Sequence, residues 1–386
     1  MNQNYFYVKK VRIWKLIMLF IVGISCTFLF ASVLVTSLKQ AKSVYLHDWL
    51  NELSMNGYMY ALGTENHYFV QEYRQYNKEF SVSTLLLSAV TNIRFHDVRS
   101  LLGTELPGFA KYDTDILIAG EGTNYSNLPN ESSVPLEELL QNRNGEGTSP
   151  SPPKTDVPKK SPAHSTNGKK VVFIYHTHSW ESYLPLLHLP VTSPDSKATS
   201  TVTNISIFGD RFREQLENNG IGASDDKTDI GQMLIAKGLN SNSSYKMSRQ
   251  VMQTAMTTNK DYTYFFDLHR DSSRRDVTTK QLNGQSYARL YFVIGSGNQN
   301  YTKNEQFAKT LHEMIEKKYP GLSRGVARKN SSMGNGVYNQ DLSGQAILVE
   351  VGGVDNTVEE LNRTIDVLAE TFSDYYWQAE KVNGSP

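Results

Sequence analysis

Beyond residue 170 the chain alternates between two hydrophobic rhythms. Short, dominantly apolar or aromatic runs stand at 171–175 (VVFIY), 262–268 (YTYFFDL), 288–295 (ARLYFVIG) and 346–353 (AILVEVGG). Between them, apolar residues recur every three to four positions at 206–220, 245–259, 304–321 and 357–381. The short runs fit buried strands, and the second rhythm fits amphipathic helices. In the first helix Ile207, Phe212 and Leu216 form the inward stripe and Gly220 the stop; Pro320 and Gly321 end the third. This alternation predicts an α/β fold with a mostly parallel sheet sandwiched by helices. In such sheets ligands bind beyond the carboxyl ends of the strands.

The N-terminal part has a different pattern. Lys9, Lys10, Arg12 and Lys15 precede an uncharged apolar run of 23 residues, Leu16–Leu38, which contains Cys26. About 20 such residues cross a bilayer as a helix. A cleaved signal peptide has a shorter apolar core and a small-residue cleavage site, and neither is present here. Residues 1–42 therefore read as a cytoplasmic tail and transmembrane anchor, with the following chain outside the membrane. Residues 43–140 read as a smaller extracytoplasmic region that opens with a helix and carries no chemical motif. Residues 141–169, rich in Pro, Ser, Gly and Lys, read as an extended linker in which His164 is solvated. The domain with chemistry is 170–386.

Composition narrows the partners. The 386 residues hold 39 Lys+Arg and 39 Asp+Glu, so no net basic field points to nucleic acid. A single cysteine excludes a disulfide framework and a cysteine-based zinc site. The stretch IGSGNQN lacks the phosphate-loop lysine and the dinucleotide-binding spacing, and there is no nucleophile elbow.

Ionisable residues gather at three strand exits. The first carries His176, His178 and Glu181; the second carries Asp267, His269, Arg270 and Asp271; the third carries Glu350, Asp355 and Asn356. Converging histidines and carboxylates at one sheet edge fit a catalytic zinc centre with three protein ligands and an open position. His178 and Glu181, three residues apart, can reach one ion from a single turn, and distant His269 completes the set. Glu350 remains as general base. His176 is open between orienting a ligand, binding substrate and replacing His178. His188 belongs to a loop at the rim, and His47, His67, His96 and His312 have no partner pattern.

The segments IYHTHSWESY, DLHRDS, ARLYFVIG and YNQDLSGQAILVEVGGVDNTVEELNRT resemble the stage II sporulation protein P family of spore-forming bacteria. The resemblance runs through most of the chain and is strongest from about Val171 to Thr364. It implies a zinc N-acetylmuramoyl-L-alanine amidase that also cleaves peptide cross-links. It further implies action on septal peptidoglycan during engulfment, with stage II sporulation proteins D and M as partners. LVEVGGVDN is similar to the amidase segment bearing the catalytic glutamate, here Glu350, and DLHRDS to the segment with the second zinc histidine, His269. One departure stands out. Related amidases carry the zinc glutamate at the start of the first helix, whereas this helix offers only Glu214 and Glu217 in its interior. That favours Glu181, an arrangement similar to zinc carboxypeptidases.

The expected ligand set is His178, Glu181 and His269. His176, Arg270, Asp271 and Asn356 are expected around the substrate or behind the ligands, with Arg270 gripping a stem-peptide carboxylate. A carboxypeptidase-like metalloprotease and a non-catalytic wall-binding scaffold are the competing readings.

Overall fold

The computed structural model describes residues 114–129, 161–298, 301–330 and 334–383. The expected anchor, the helix expected after residue 43 and most of the linker lie outside these residues. Among the described residues no helix is long and apolar enough to cross a membrane. The chain divides into two units, Met1–Ile93 and Arg94–Pro386, and every described residue belongs to the second.

The main sheet contains β1 (Asp115–Ala119), β2 (Lys170–Tyr175), β3 (Gly222–Asp225), β4 (Tyr264–Asp271), β7 (Leu290–Gly295), β8 (Ser323–Lys329) and β9 (Ala346–Gly353). A separate hairpin joins β5 (Thr279–Leu282) to β6 (Gln285–Ala288). The sheet order is β1-β8-β7-β9-β4-β2-β3. Every residue of β4 and β9 is buried, as their dominantly apolar runs require of central strands. The helices are α1 (Ser206–Asn218), α2 (Ile230–Ala236), α3 (Ser244–Thr258), α4 (Tyr301–Lys318) and α5 (Val358–Asn383), with one further helical turn at Arg275–Thr278.

Alternating strand residues serve opposite faces. Val172, Ile174, Phe266, Leu268, Phe292 and Val349 pack against Phe212 and Leu216 of α1, Leu311 of α4, and Leu368 and Phe372 of α5. On the other face Phe173 and Phe265 meet Met252 of α3, while Tyr291, Val293 and Leu348 meet Tyr245, Tyr338 and Leu128. Each such side chain contributes about 1.5–3 kcal/mol on full burial. Helices thus cover both faces, and the α3 face carries the site described below.

The sheet is mostly parallel but mixed. β2–β3, β2–β4, β4–β9 and β7–β8 are parallel, whereas β7–β9 and β1–β8 are antiparallel. The β5–β6 hairpin follows β4 in place of a crossover helix, so the chain enters β7 from the opposite end.

Two boundaries differ from expectation. β1 falls in the stretch assigned to a separate N-terminal region, yet it extends the main sheet, and Leu128 of the segment that follows it packs into the core. The last linker residues also dock. Thr166 N donates to Gly220 O at 2.9 Å, Gly222 N donates to Thr166 Oγ1 at 3.0 Å, and the His164 ring lies 5.3 Å from that of Trp377. Strand β3, GASD, is too short and polar to stand out in the pattern.

Candidate metal centre

β2 ends at Tyr175, and residues 177–180 form a turn closed by Glu181 N donating to His178 O at 3.0 Å. In an unbroken strand His176 and His178 would share a face. The turn separates them. His176 goes to the α1 side, where Nε2 lies 2.9 Å from Asp225 Oδ1 and Nδ1 3.3 Å from Leu268 O. Gly209 of α1 sits against this pair, so closely that a Cβ there would lie 2.6 Å from His176 Nε2. His176 is thus a structural partner of Asp225, away from the cluster that His178 joins.

His178, Glu181 and His269 each offer a ligand atom, all within 4.8 Å of one another. Glu181 Oε1 lies 3.3 Å from His178 Nδ1, and its Oε2 lies 3.6 Å from His269 Nδ1. The two imidazoles cross edge to face at 4.9 Å between centroids. Arg270 N donates to Glu181 Oε2 at 2.9 Å, fixing the carboxylate. The register of β4 and β9 makes His269 and Glu350 direct neighbours on the α3 face. Tyr245 stacks parallel to His269 at 6.2 Å and meets His178 edge-on at 5.6 Å, walling the cluster on one side.

The electrostatics suit a cation. Burial opposes ionisation of Glu181, yet His178, His269 and Arg270 hold its carboxyl below the usual range. Burial would lower His269, but Asp267, Glu181 and Glu350 raise it to about 10. Three carboxylates therefore act on one buried ring. Neither His269 nitrogen completes a well-aligned hydrogen bond among the described residues. Its Nε2 lies 3.0 Å from Asp267 Oδ1, and its Nδ1 faces the cluster. Two imidazoles and a carboxylate around an orphaned buried nitrogen fit a divalent cation such as zinc, with Asp267 orienting the ring from behind.

Other expected residues lie elsewhere. The Arg270 side chain is fully buried on the opposite face, its guanidinium 3.3 Å from Asp271 O and 3.5 Å from Ala198 O. It is not open to a substrate carboxylate; its contribution to the site is its backbone N–H. Asp271 pairs with buried Arg324 and accepts from Ser273 N. Asp355 accepts from Arg274, and Asn356 accepts from Gly353 N and donates to Thr279 and Glu360 at the start of α5. These residues fix the loop after β9 and do not join the cluster. Glu214 and Glu217 pair with Arg213 on the surface of α1. His188 is exposed, with φ +56°.

The sequence places Asp267 at the second strand exit without giving it a role, and it does not single out Thr177, Ser248, Tyr245 or Tyr338. Asp267 had a signal: two residues before His269 on a strand, it must share that face. The others reach the site only through tertiary packing.

Fold and cluster together define an α/β protein with a two-histidine, one-carboxylate candidate metal centre. The family model of Stage II sporulation protein P (SpoIIP) matches residues 96–373. The Stage II sporulation protein P of Bacillus subtilis (strain 168) is 45% identical over 377 residues, covering 96% of this chain and 93% of that protein. This chain belongs to the stage II sporulation protein P family. Among solved structures, Cwp6 from Clostridium difficile aligns at a TM-score of 0.33 with 15% identity, over 54% of this chain and 30% of its own.

Proposed function

We propose that this chain is a zinc-dependent peptidoglycan hydrolase, an N-acetylmuramoyl-L-alanine amidase that also cleaves peptide cross-links. Its N-terminal segment anchors it in the membrane, and its catalytic domain works outside, on septal wall during engulfment. Stage II sporulation proteins D and M are its partners in this reading, which rests there on family membership. The observation that carries the chemistry is the convergence of His178, Glu181 and His269 beside Glu350.

These three side chains would hold the ion. Bound there, zinc supplies Lewis acidity toward the scissile carbonyl and makes a water acidic enough to attack near neutral pH. The chain's own residues do the rest. Glu350, beside His269, takes a proton from the attacking water and returns it to the departing amine nitrogen. The Arg270 N–H and the two histidines keep Glu181 ionised and aimed. Asp267 holds His269 from the far side. Tyr245 and Tyr338, packed edge to face at 5.1 Å, exclude water from one flank of the cluster.

The test is mass spectrometry of muropeptides released from isolated sacculi. The wild-type chain should release free stem peptides, and a chelator should stop it. Glu350→Gln should keep its zinc and lose hydrolysis. Normal digestion by that variant, or a wild-type chain without stoichiometric zinc, overturns the mechanism. Release of C-terminal residues alone would instead favour the carboxypeptidase-like reading, to which the His178–Glu181 spacing gives some support.

A further inference from the structure

Behind His269 lies a line of polar side chains of which the proposed reaction uses only the first, Asp267. Asp267 Oδ1 is 3.0 Å from His269 Nε2 and accepts from Thr177 N at 2.9 Å. Asp267 Oδ2 is 2.6 Å from Thr177 Oγ1, which is 2.7 Å from Ser248 Oγ, which is 2.9 Å from Asn339 Nδ2. All five residues are buried, from 0% to 3% exposed. The line crosses four elements: β4, the turn after β2, α3, and the segment leading to β9.

Counting protons gives this line a direction. An ionised carboxylate only accepts, and a hydroxyl has one proton to give. Thr177 therefore gives its proton to Asp267 and must accept at its other contact. Ser248 has two acceptors in reach, Thr177 Oγ1 at 2.7 Å and Tyr245 O at 3.3 Å. With the Thr177 proton on Asp267, the short Thr177–Ser248 contact needs the Ser248 proton, and Ser248 must itself accept. Only an N–H donor can terminate such a chain, and the Asn339 amide is one. With both oxygens of Asp267 accepting, its negative charge is held in place. That charge, 3.0 Å from His269 Nε2, draws the ring's proton to this nitrogen without a well-aligned hydrogen bond, leaving the Nδ1 lone pair for the cluster. Chains of this kind polarise each bond in turn.

The backbone at the far end is shaped for that contact. Tyr338 and Asn339 are consecutive non-glycine residues in the left-handed region, at φ +53° and +57°. Asn tolerates this conformation; a bulky residue such as Tyr rarely adopts it. Together the two positions set the Tyr338 ring against Tyr245 and the Asn339 amide on Ser248. Strained backbone of this kind collects at functional sites.

We infer that Asn339 is a positioning residue for the metal centre, acting through Ser248, Thr177 and Asp267 to fix which nitrogen of His269 faces the ion. This inference rests on the metal reading above, and its test separates the two. Zinc affinity is measured on the full chain in detergent, by competition with a chromophoric chelator. Asn339→Gly keeps the left-handed backbone and removes the donor; affinity should fall about tenfold, the lower end of the range for residues behind a ligand. Asn339→Asp keeps the shape but offers an acceptor, which draws the Ser248 proton away from Thr177. It should lose at least as much. A purely steric role for Asn339 predicts that the Asp variant behaves as wild type. Ser248→Ala should fall by a similar factor, Ser248→Thr should restore affinity, and Asn339→Gly with Ser248→Ala should be no worse than either alone. Unchanged affinity in both Asn339 variants, or additive losses in the double variant, overturns the relay. A wild-type chain that binds no zinc overturns the metal reading instead. Thermal melts of each variant separate loss of affinity from loss of fold.

Discussion

His269 and Glu350 are register partners on adjacent parallel strands, one from DLHRD and the other from LVEVG, 81 residues further along the chain. Parallel neighbours in register point to the same side of the sheet at the same level. The expected ligand and the expected base are therefore held by the most rigid part of the fold, two fully buried central strands.

Rigid placement makes reach decisive. Glu350→Asp keeps the charge and withdraws the carboxylate by one methylene, while the strand cannot advance to compensate. A displacement of about 1 Å can cost about 10²-fold in rate. Glu350→Asp should therefore lose about 10²-fold in muropeptide release and retain zinc stoichiometry by elemental analysis. Activity within about threefold of wild type would show that Glu350 is not the proton carrier.

Much of this architecture was readable in advance, for a simple reason. β4 and β9 are buried on both faces, so their sequences are dominated by apolar residues on both sides of the strand, and the few ionisable residues in them, Asp267, His269 and Glu350 among them, stand out. Side-chain direction was harder to read. Arg270 looks like a substrate grip from its position beside His269, but neighbouring strand residues face opposite sides, and its guanidinium is buried among carbonyls. The roles of Asp271 and Asn356 depend on Arg324, Thr279 and Glu360, partners whose contacts no local spacing reveals. β1 does not stand out because an edge strand of three half-buried residues between two exposed ones has no distinct hydrophobic rhythm.

The Asp271–Arg324 pair supplies a stability prediction. Both side chains are almost fully buried, at 0% and 1% exposed. Arg324 also donates to Asn127 O, and its guanidinium lies 5.2 Å from the centre of the Tyr291 ring. It ties β8 both to β4 and to the segment following β1. Arg324→Ala leaves Asp271 as a buried charge without its cation, which should cost about 3–5 kcal/mol in urea unfolding. Asp271→Leu combined with Arg324→Met removes both charges and should lose clearly less than the two single losses summed. Additive losses would mean that the pair is not what stabilises this junction.

Gly209 sets helix propensity against packing. Alanine inside a helix is favoured over glycine by about 1 kcal/mol. A Cβ at Gly209, however, would lie 2.5 Å from Asp225 Oδ1 and 2.6 Å from His176 Nε2. Both of those side chains are 1% exposed, so neither can yield toward solvent. Overpacking of this kind costs about 1–3 kcal/mol, and loosening a buried ion pair adds to it. Packing should win, and Gly209→Ala should be destabilised by about 2 kcal/mol in thermal or urea unfolding. A stabilised variant would show that α1 does not press on the His176–Asp225 pair.

His312 should mark the acid limb of stability. It lies on α4, buried, with Nδ1 2.7 Å from Ser323 Oγ on β8. Burial lowers its pKa below the ordinary 6.5, and the Glu316 and Glu313 carboxylates offset only part of that. Both of Glu316's oxygens are occupied, accepting from Gly321 N and Ser323 N, so this carboxylate does not turn toward the ring. As pH falls through 6.5, the unfolded chain takes up a proton that the folded chain resists. Where the unfolded state binds more protons, stability falls with pH, by at most about 1.4 kcal/mol per pH unit for one group. The contribution of neutral His312 is thus present above 6.5 and lost below it. Glutamine retains polar contact with Ser323 but does not titrate. The stability advantage of wild type over His312→Gln, measured by urea unfolding from about pH 7.5 down to about pH 5.5, should therefore shrink steadily as the solution is acidified. Comparing the two chains cancels the opposite trend expected from His176 and His269, whose pKa values are raised. A difference that stays flat or widens toward acid would mean that the α4–β8 contact accommodates the imidazolium, and that burial does not govern this histidine.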